Sequence, residues 1–285
     1  MAGMVTHEIE TSIGPLRYRE TGSGPPVLFV HGILADGALW DPVATRLAGD
    51  LRCILPDWPL GSHRLPVNPG ADLSPLGLAR LIDEVVGTLG IEGVTLVGND
   101  TGGALCQLVA AHHPDGLGAV VLTPCDAYEN FPPRKLFWPL LAAARVPGGL
   151  LASAQLVRWR PARRLPFTFG RLAKHGVTDE LVERWFAGVR TGRAIRRDCA
   201  RMLRELDNRY TLDAVERLRH FDRPVLLAWA VEDRVFPLRY GERLLSDLPD
   251  ARLELVDDAY TFVSLDQPQR TADLIRQFVR TEVYP

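Results

Sequence analysis

Residues 97–103 of this 285-residue chain read VGNDTGG. They follow an apolar run typical of a buried strand, and they precede a segment whose apolar residues recur at helical spacing. Gly98 and Gly102 lie two residues before and two residues after Asp100, so that no side chain crowds a tight turn there. The stretch therefore predicts a strand, a sharp turn with Asp100 at its tip, and a helix that begins immediately after it.

The same alternation of strand and helix extends outward from this turn in both directions. Short apolar runs, typical of parallel strands that are covered on both faces, alternate with segments of helical periodicity. The apolar runs lie at residues 27–30, 53–55, 94–97, 119–122, 225–229 and 253–256, and the clearest helical segments at 78–89, 238–248 and 270–280. Repeated units of this kind predict an α/β fold with a mostly parallel central sheet flanked by helices.

One segment interrupts the alternation, because strand patterns vanish between residues 127 and 219. Tryptophans, prolines and many arginines lie there among helical segments. We predict an α/β core made of residues 1–126 and 220–285, with an inserted helical lid, or cap, at 127–219. An insertion at the carboxyl ends of the strands would cover the edge where open α/β sheets bind ligands. A separately folding domain is the alternative.

The net charge of −2 conceals an uneven distribution of charge. Residues 127–220 hold 19 Lys or Arg against 9 Asp or Glu, whereas the rest of the chain holds 14 against 26. Solvated helix faces explain such a basic segment, and steering of an anionic ligand is the alternative. The acidic overall balance, without a recognisable binding motif, predicts that nucleic acid is not a partner.

Composition and motifs exclude several other classes of protein. No apolar run approaches the roughly 20 residues of a membrane-spanning helix, and the N-terminal residues do not resemble a signal sequence, so we expect a cytoplasmic protein without a membrane partner. The four cysteines lack metal-ligand spacing, and there is no phosphate-binding loop or GxGxxG motif. We therefore expect no metal and no cofactor. Oligomeric state is not predicted.

Asp100 is the candidate reactive residue of the predicted turn. A carboxylate is ionised at pH 7 and needs no base to become a nucleophile, and the N-terminus of the following helix stabilises negative charge. Asp100 would also make a good helix cap, which is the simpler explanation. The glycines on both sides favour a nucleophile elbow, the strained turn that exposes a reactive side chain above a sheet.

With these motifs, the chain resembles the α/β-hydrolase superfamily over nearly its whole length. Further matching residues are the pair His31-Gly32 after an early strand, Asp233 after a late strand, and the segment 266–268, which reads DQP. In the members with aspartate at the elbow, such as haloalkane dehalogenases and epoxide hydrolases, the resemblance implies attack on carbon to give an alkyl-enzyme ester. A water activated by a histidine then cleaves that ester.

The resemblance also assigns roles to other residues of this chain. It implies an oxyanion hole formed by the backbone N–H groups of Ile33 and Thr101. It implies that Asp233 orients the histidine, although Asp126 is a second place where relatives carry this acid. The expected histidine is missing, because Thr261 occupies its position. Threonine cannot take a proton from water at pH 7, so an ester on Asp100 would persist unless another base replaced the histidine.

Few residues of this chain could replace the catalytic groups that the resemblance leads us to expect. His63 follows the strand that ends near Asp57 and is the best candidate for a replacement base, although a loop histidine is more often solvated or turn-stabilising. Thr101 stands where dehalogenases would carry a halide-binding tryptophan. Tyr128 and Tyr210 offer the pair of lid tyrosines that epoxide hydrolases use as acids, although tyrosines also commonly anchor a core.

Three functions remain open at this point. The first is a hydrolase-type enzyme with an atypical triad, in which Asp100 attacks carbon or activates water. The second is a non-hydrolytic enzyme, for proton transfer, elimination or cyclisation in a biosynthetic pathway, in which an apolar pocket raises the pKa of Asp100 so that it serves as acid or base. The third is a catalytically silent binder. The lid aromatics predict a small apolar or aromatic ligand; they are Phe137, Trp138, Trp159, Phe167, Phe169, Trp185 and Phe186.

Overall fold

A computed structural model describes residues 3–284 of the chain. Its strands are β1 (Val5–Thr11), β2 (Gly14–Thr21), β3 (Pro26–Val30), β4 (Arg52–Pro56), β5 (Val94–Asp100), β6 (Leu117–Cys125), β7 (Val225–Ala230) and β8 (Ala251–Val256). They form one sheet in the order β1-β2-β4-β3-β5-β6-β7-β8. The pairs β1–β2 and β2–β4 are antiparallel. The other pairs are parallel, and the βα alternation predicted these parallel pairs.

Helices connect and cover these strands. They are α1 (Asp41–Leu47), α2 (Pro75–Thr88), α3 (Thr101–His112), α4 (Arg134–Ala143), α5 (Gly149–Leu156), α6 (Asp179–Thr191), α7 (Arg193–Glu205), α8 (Arg209–Leu218), α9 (Leu238–Asp247), α10 (Val263–Asp266) and α11 (Pro268–Phe278). Within the described residues, no helix has both the length and the apolar character needed to cross a membrane. Short 3₁₀ segments at Gly37–Trp40 and Arg160–Arg164, and a π-helical turn at Val279–Val283, complete the elements.

The core lies on both faces of the central strands. Every residue of β5 and β7 is buried, which requires cover on both faces of the sheet. Helix α3 packs against both α2 and α8, and α1 packs against α11. The α/β architecture with a mostly parallel sheet is therefore confirmed. It brings the carboxyl ends of β3, β5, β6 and β7 to one edge, where the predicted site residues follow.

Helices α4 to α8 all lie between β6 and β7, in the segment predicted to be a lid. The last of them, α8, packs against α3, whereas residues of α4 to α7 line a cavity above Asp100. Two arginines of α7 donate to backbone carbonyls outside the segment: Arg197 reaches Val67 (3.2 Å), and Arg201 reaches Ala71 (2.5 Å). Part of the basic charge therefore fastens this segment to its neighbours. The boundaries at 127 and 219 stay a prediction.

Candidate active site

The turn between β5 and α3 has the geometry that the glycines predicted. Asp100 ends β5 and has φ 54° and ψ −132°, a left-handed conformation that costs roughly 1–3 kcal/mol and persists only where its surroundings enforce it. A Cβ at Gly98 would lie 2.6 Å from the Cα of Gly103, and one at Gly102 would lie 2.3 Å from the carbonyl oxygen of Val30. Both positions therefore require glycine.

Two backbone amides lie beside the Asp100 carboxylate. The N–H groups of Ile33 and Thr101 are close enough to it to favour its charged form and lower its pKa. Gly32 makes room for this arrangement, since a Cβ there would lie 2.1 Å from Asp100 Oδ2. Burial raises the pKa of Asp100 to about 7; the two N–H donors oppose the shift, and the charge of Asp233 adds to it. At neutral pH this carboxyl is close to half ionised.

His31 braces the loop that supplies one of these amides. Its Nε2 accepts from the backbone N–H of Trp58 (2.9 Å), so the ring proton of the neutral imidazole lies on Nδ1, which is 2.9 Å from the carbonyl oxygen of Gly32. Burial lowers the pKa of His31 to about 4, although the bond to Gly32 favours the charged form. The ring is therefore neutral at pH 7 and acts as a structural link.

Three hydrogen-bond donors surround the Asp233 carboxylate, and one of them belongs to Thr261, which occupies the position of the expected histidine. Its Oδ1 accepts from the backbone N–H groups of Val235 (2.7 Å) and Phe236 (2.5 Å), and its Oδ2 accepts from Thr261 Oγ1 (2.8 Å). Burial raises the pKa of Asp233 to about 7 against these three donors. Asn99 Nδ2 donates to the carbonyl oxygen of Thr261 (2.7 Å), which ties this loop to the elbow.

Asp126 forms a third buried carboxyl near the elbow. Its side chain is fully buried, and its Oδ2 accepts from Thr101 Oγ1 (2.9 Å), whereas its Oδ1 has no hydrogen-bond partner within the described residues. Burial raises the pKa of Asp126 well above its ordinary range, and the charge of Asp100 adds to the shift. The structure thus brings Asp100, Asp126 and Asp233 together electrostatically, without an imidazole between them.

A largely apolar cavity of about 130 Å³ opens above Asp100. Its polar lining side chains are Asp100, Ser153 and Thr168, and the Thr168 hydroxyl already donates to backbone carbonyls. A cavity of roughly 150 Å³ lined by apolar side chains accommodates benzene, so this one suits a ligand of similar size. The apolar lining comprises Ile33, Leu34, Pro132, Phe137, Pro139, Leu140, Leu141, Leu156, Val157, Phe167, Phe169, Leu172, Phe186 and Leu203.

Other predicted residues lie away from this cavity. His63 lines a separate small cavity, where its Nδ1 accepts from the N–H of Gly61 (3.4 Å) and its Nε2 lies 3.7 Å from Asp198. Tyr128 donates its hydroxyl proton to Asp247, and Tyr210 accepts from Arg209. Four predicted lid aromatics line the cavity itself, namely Phe137, Phe167, Phe169 and Phe186.

Sequence reasoning missed an ion pair that fastens α6 to the core. Asp36, which is fully buried, accepts from Arg184 Nε (2.5 Å) and from Trp185 Nε1 (3.0 Å). Arg184 also lies 3.8 Å from Asp57. These partners are about 150 positions apart in the sequence, and no local pattern links them. Within residues 3–284, no His, Cys, Asp and Glu side chains cluster so as to hold a metal ion.

Comparison with known proteins agrees with this geometry. Residues 27–274 match the alpha/beta hydrolase family. Haloalkane dehalogenase 2 from Mycobacterium tuberculosis is 28% identical to this chain, covering 93% of it and 92% of the relative. A haloalkane dehalogenase from Bradyrhizobium elkani superposes with a TM-score of 0.78 at 18% identity, covering 98% of each chain. A thermophilic esterase from Thermogutta terrifontis gives 0.72 at 22% identity, over 99% of this chain and 100% of that chain. Because the family match spans most of its length, the chain belongs to the alpha/beta hydrolase family.

Proposed function

We propose that the protein is a hydrolase-type enzyme that acts on a small apolar or aromatic molecule through Asp100. The observation that carries this proposal is the position of the Asp100 carboxyl, which lines a largely apolar cavity with the backbone N–H groups of Ile33 and Thr101 beside it. A capping aspartate would instead accept from the N–H of the second or third residue of its helix, and Asp100 makes no such side-chain hydrogen bond. The relation to a haloalkane dehalogenase supports the same chemistry.

The first step is attack by a carboxylate oxygen of Asp100 on an electrophilic carbon. A new C–O bond forms, the bond to the leaving group breaks, and the leaving group departs with the electron pair, so that an ester joins Asp100 to the substrate carbon. The N–H groups of Ile33 and Thr101 orient the carboxylate for this attack. Only the ionised form attacks, and with a pKa of about 7 that form grows as the pH rises through neutrality.

The second step is hydrolysis of this ester. Water adds to the ester carbonyl carbon, the amides of Ile33 and Thr101 stabilise the resulting oxyanion, and collapse releases an alcohol and regenerates the carboxylate. A base must take the proton of the water. We assign this role to Asp233, which has a pKa of about 7 and is bonded to Thr261 in the place of the usual imidazole. Asp126 is the alternative base. We expect this step to be slow, because both carboxylate oxygens of Asp233 already accept hydrogen bonds, so the ester accumulates.

Intact mass spectrometry tests the proposal directly. The protein is incubated with alkyl halides, epoxides and activated esters of benzene-like size, beside Asp100→Asn and Thr261→His variants. A covalent adduct on the wild type that is absent from Asp100→Asn supports the nucleophile. Faster loss of that adduct in Thr261→His identifies the missing imidazole as the reason for its persistence. His63→Ala is the matched control, and it leaves both steps unchanged because His63 lines another cavity.

The absence of both an adduct and turnover, together with a ligand that raises the melting temperature, would contradict the proposal and favour a silent binder.

Turnover without an adduct would favour a second candidate function, which the pKa of Asp100 supports. A carboxyl with a pKa of about 7 both donates and accepts protons at neutral pH, as a non-hydrolytic acid/base catalyst requires. Reaction in ¹⁸O-labelled water separates the two functions, because hydrolysis of the ester places labelled oxygen in the Asp100 carboxylate in the first turnover and in the product in later turnovers, whereas a non-hydrolytic reaction labels neither.

A further inference from the structure

Exposed apolar side chains lie on the rim of the Asp100 cavity, or within three residues of the side chains that line it. Leu156 and Phe167 line the cavity and are nevertheless 42% and 39% exposed, so they lie at its rim. Trp138 follows Phe137, which also lines the cavity, and is 65% exposed. Trp159 is 64% exposed and lies one turn beyond Leu156, to whose carbonyl oxygen its N–H donates (3.1 Å). These four exposed side chains, Trp138, Leu156, Trp159 and Phe167, form what we call the mouth surface.

The two tryptophans of the mouth surface differ from the other four in the chain. Trp40, Trp58, Trp185 and Trp229 are at most 1% exposed. Burying a tryptophan in the core contributes several kcal/mol of stabilisation on the usual area scale, and Trp138 and Trp159 lack most of this contribution. An amphipathic indole suits the boundary between water and lipid, where tryptophan is enriched. The exposure therefore points to an apolar partner at the mouth.

The charge around the mouth surface defines that partner further. Residues 134–170 contain seven Lys or Arg and no Asp or Glu. Some of these cations pair with acids of later helices, as Arg134 does with Asp207 and Arg160 with Asp179. Lys135 and Arg164 are exposed and form no ion pair within the described residues. A second copy of the chain would bring like charges together, whereas an anionic surface would be attracted.

We propose that the mouth surface docks on an anionic lipid surface, with the opening of the Asp100 cavity facing the lipid. Exposed tryptophans with flanking cations are the features by which proteins lie on a membrane without spanning it. The sequence predicted no membrane partner because it lacks a spanning segment, and surface docking requires none. Docking does not depend on the chemistry proposed for Asp100, although it would give apolar substrates a direct route from lipid into the cavity.

Tryptophan fluorescence with lipid vesicles tests this docking. Because the other tryptophans are already buried, a blue shift and protection from acrylamide report on Trp138 and Trp159 alone. We expect both effects, together with co-sedimentation, for phosphatidylglycerol-containing vesicles at low salt. Weaker binding is expected at 0.5 M salt and with pure phosphatidylcholine. Lys135→Gln and Arg164→Gln each reduce affinity about fivefold, the effect of one cation near an anionic surface.

A double variant, Trp138→Ser with Trp159→Ser, abolishes co-sedimentation if the proposal is right. Its matched control is Leu212→Ser with Leu255→Ser, which changes two exposed apolar side chains elsewhere and leaves binding intact. Absence of binding at millimolar lipid overturns the proposal, as does equal loss in the control. A concentration-dependent dimer that protects Trp138 and Trp159 without lipid also overturns it and assigns the surface to a second copy. Vesicle binding is measured without a substrate. A negative result would therefore contradict the docking proposal and leave the function proposed for Asp100 untouched.

Discussion

Thr261 contributes a single hydroxyl, and that hydroxyl helps to keep Asp233 ionised. The Oγ1–Oδ2 bond of 2.8 Å is one of three donor contacts that oppose the effect of burial on the pKa of Asp233. Thr261→Val removes the donor while it conserves the shape of the side chain. We expect the pKa of Asp233 to rise further, and the variant to be roughly 1–3 kcal/mol less stable above pH 7, because a buried acceptor then lacks its partner.

Carboxyl ¹³C titration and chemical unfolding at pH 8 measure the two effects. Thr261→Ser is the matched control, because it keeps the hydroxyl and loses only a methyl group. An unchanged Asp233 titration in Thr261→Val would show that the hydroxyl does not set its pKa. If Asp233 is the base for ester hydrolysis, its higher pKa in Thr261→Val also moves the pH profile of adduct decay upward.

Individual site residues were predictable where local sequence determines them. The conformation of Asp100 follows from glycines within two residues of it, and Thr261 lies beside Asp233 because they follow the neighbouring parallel strands β8 and β7. His63 shows the limit of this reasoning. Its loop follows a strand that ends at the correct edge of the sheet, but the direction of its side chain depends on Asp198 from a distant helix. Sequence position alone does not determine such a contact.

At the scale of elements, the elbow depends on glycines that allow β5 and α3 to approach the neighbouring strand. A Cβ at Gly102 would meet the backbone oxygens of Val30 and His31 at 2.3 and 2.6 Å, which no side-chain rotation relieves. We expect Gly102→Ala to destabilise the protein by about 3 kcal/mol or more. Chemical denaturation measures the change in the free energy of unfolding.

Gly87→Ala is the control for that variant, and we expect it to raise the free energy of unfolding rather than lower it. Gly87 lies within α2, and an added Cβ there meets no atom within 4 Å. Alanine in a helix interior stabilises by about 0.4–1 kcal/mol, chiefly by restricting the unfolded chain. Equal effects of the two substitutions would contradict the requirement for close approach at the elbow.

The ion pair between Arg184 and Asp36 joins α6 to the loop that follows β3. Because Asp36 is fully buried, Arg184→Met leaves a carboxylate without its cation, and we expect destabilisation of roughly 3 kcal/mol together with faster amide exchange in α6. Adding Asp36→Asn removes the charge and restores most of this stability, since the amide oxygen still accepts from Trp185. Hydrogen exchange and a double-mutant cycle measure the coupling.

The exposed pair between Arg160 and Asp179 provides the matched control for this cycle, since it also fastens the N-terminal end of α6. Arg160 is 77% exposed, so solvent screens the pair and Arg160→Met leaves stability unchanged. Comparable losses in Arg184→Met and Arg160→Met would show that burial of Asp36 is not the reason for the effect. Uniform exchange throughout the chain would show that α6 does not open separately.

Most of the central strands were predictable because they are buried. The continuous apolar runs identified β3 to β8 to within a few residues, and all of these strands except the half-buried β8 are buried along most of their length. The hairpin of β1 and β2 was missed. Most residues of β1 are exposed, so its sequence carries no apolar alternation, and its pairing with β2 stabilises it instead.

The buried carboxyls give the whole molecule an unusual dependence of stability on pH. The pKa values of Asp100 and Asp233 are about 7 in the folded protein, against an ordinary value of 3.8. Between these values the unfolded chain has released protons that the folded protein keeps, so stability falls as the pH rises from about 4 to 7. Asp126 shifts in the same direction and contributes with the same sign.

His31 opposes this trend over part of the range. Its pKa is about 4 when folded and 6.5 ordinarily, so between these values the unfolded chain binds the additional proton and stability rises with pH. Each proton changes stability by about 1.4 kcal/mol per pH unit, and the two carboxyls outweigh the one imidazole. We therefore expect the free energy of unfolding to decline from pH 5 to pH 7.

The Asp100→Asn variant lacks the contribution of Asp100 to this decline, so its free energy of unfolding changes less with pH. At pH 8 we expect the variant to be more stable than the wild type by on the order of 3 kcal/mol. Urea unfolding of both proteins at half-unit pH steps measures this, and parallel curves would show that Asp100 is ionised in the folded protein throughout the range.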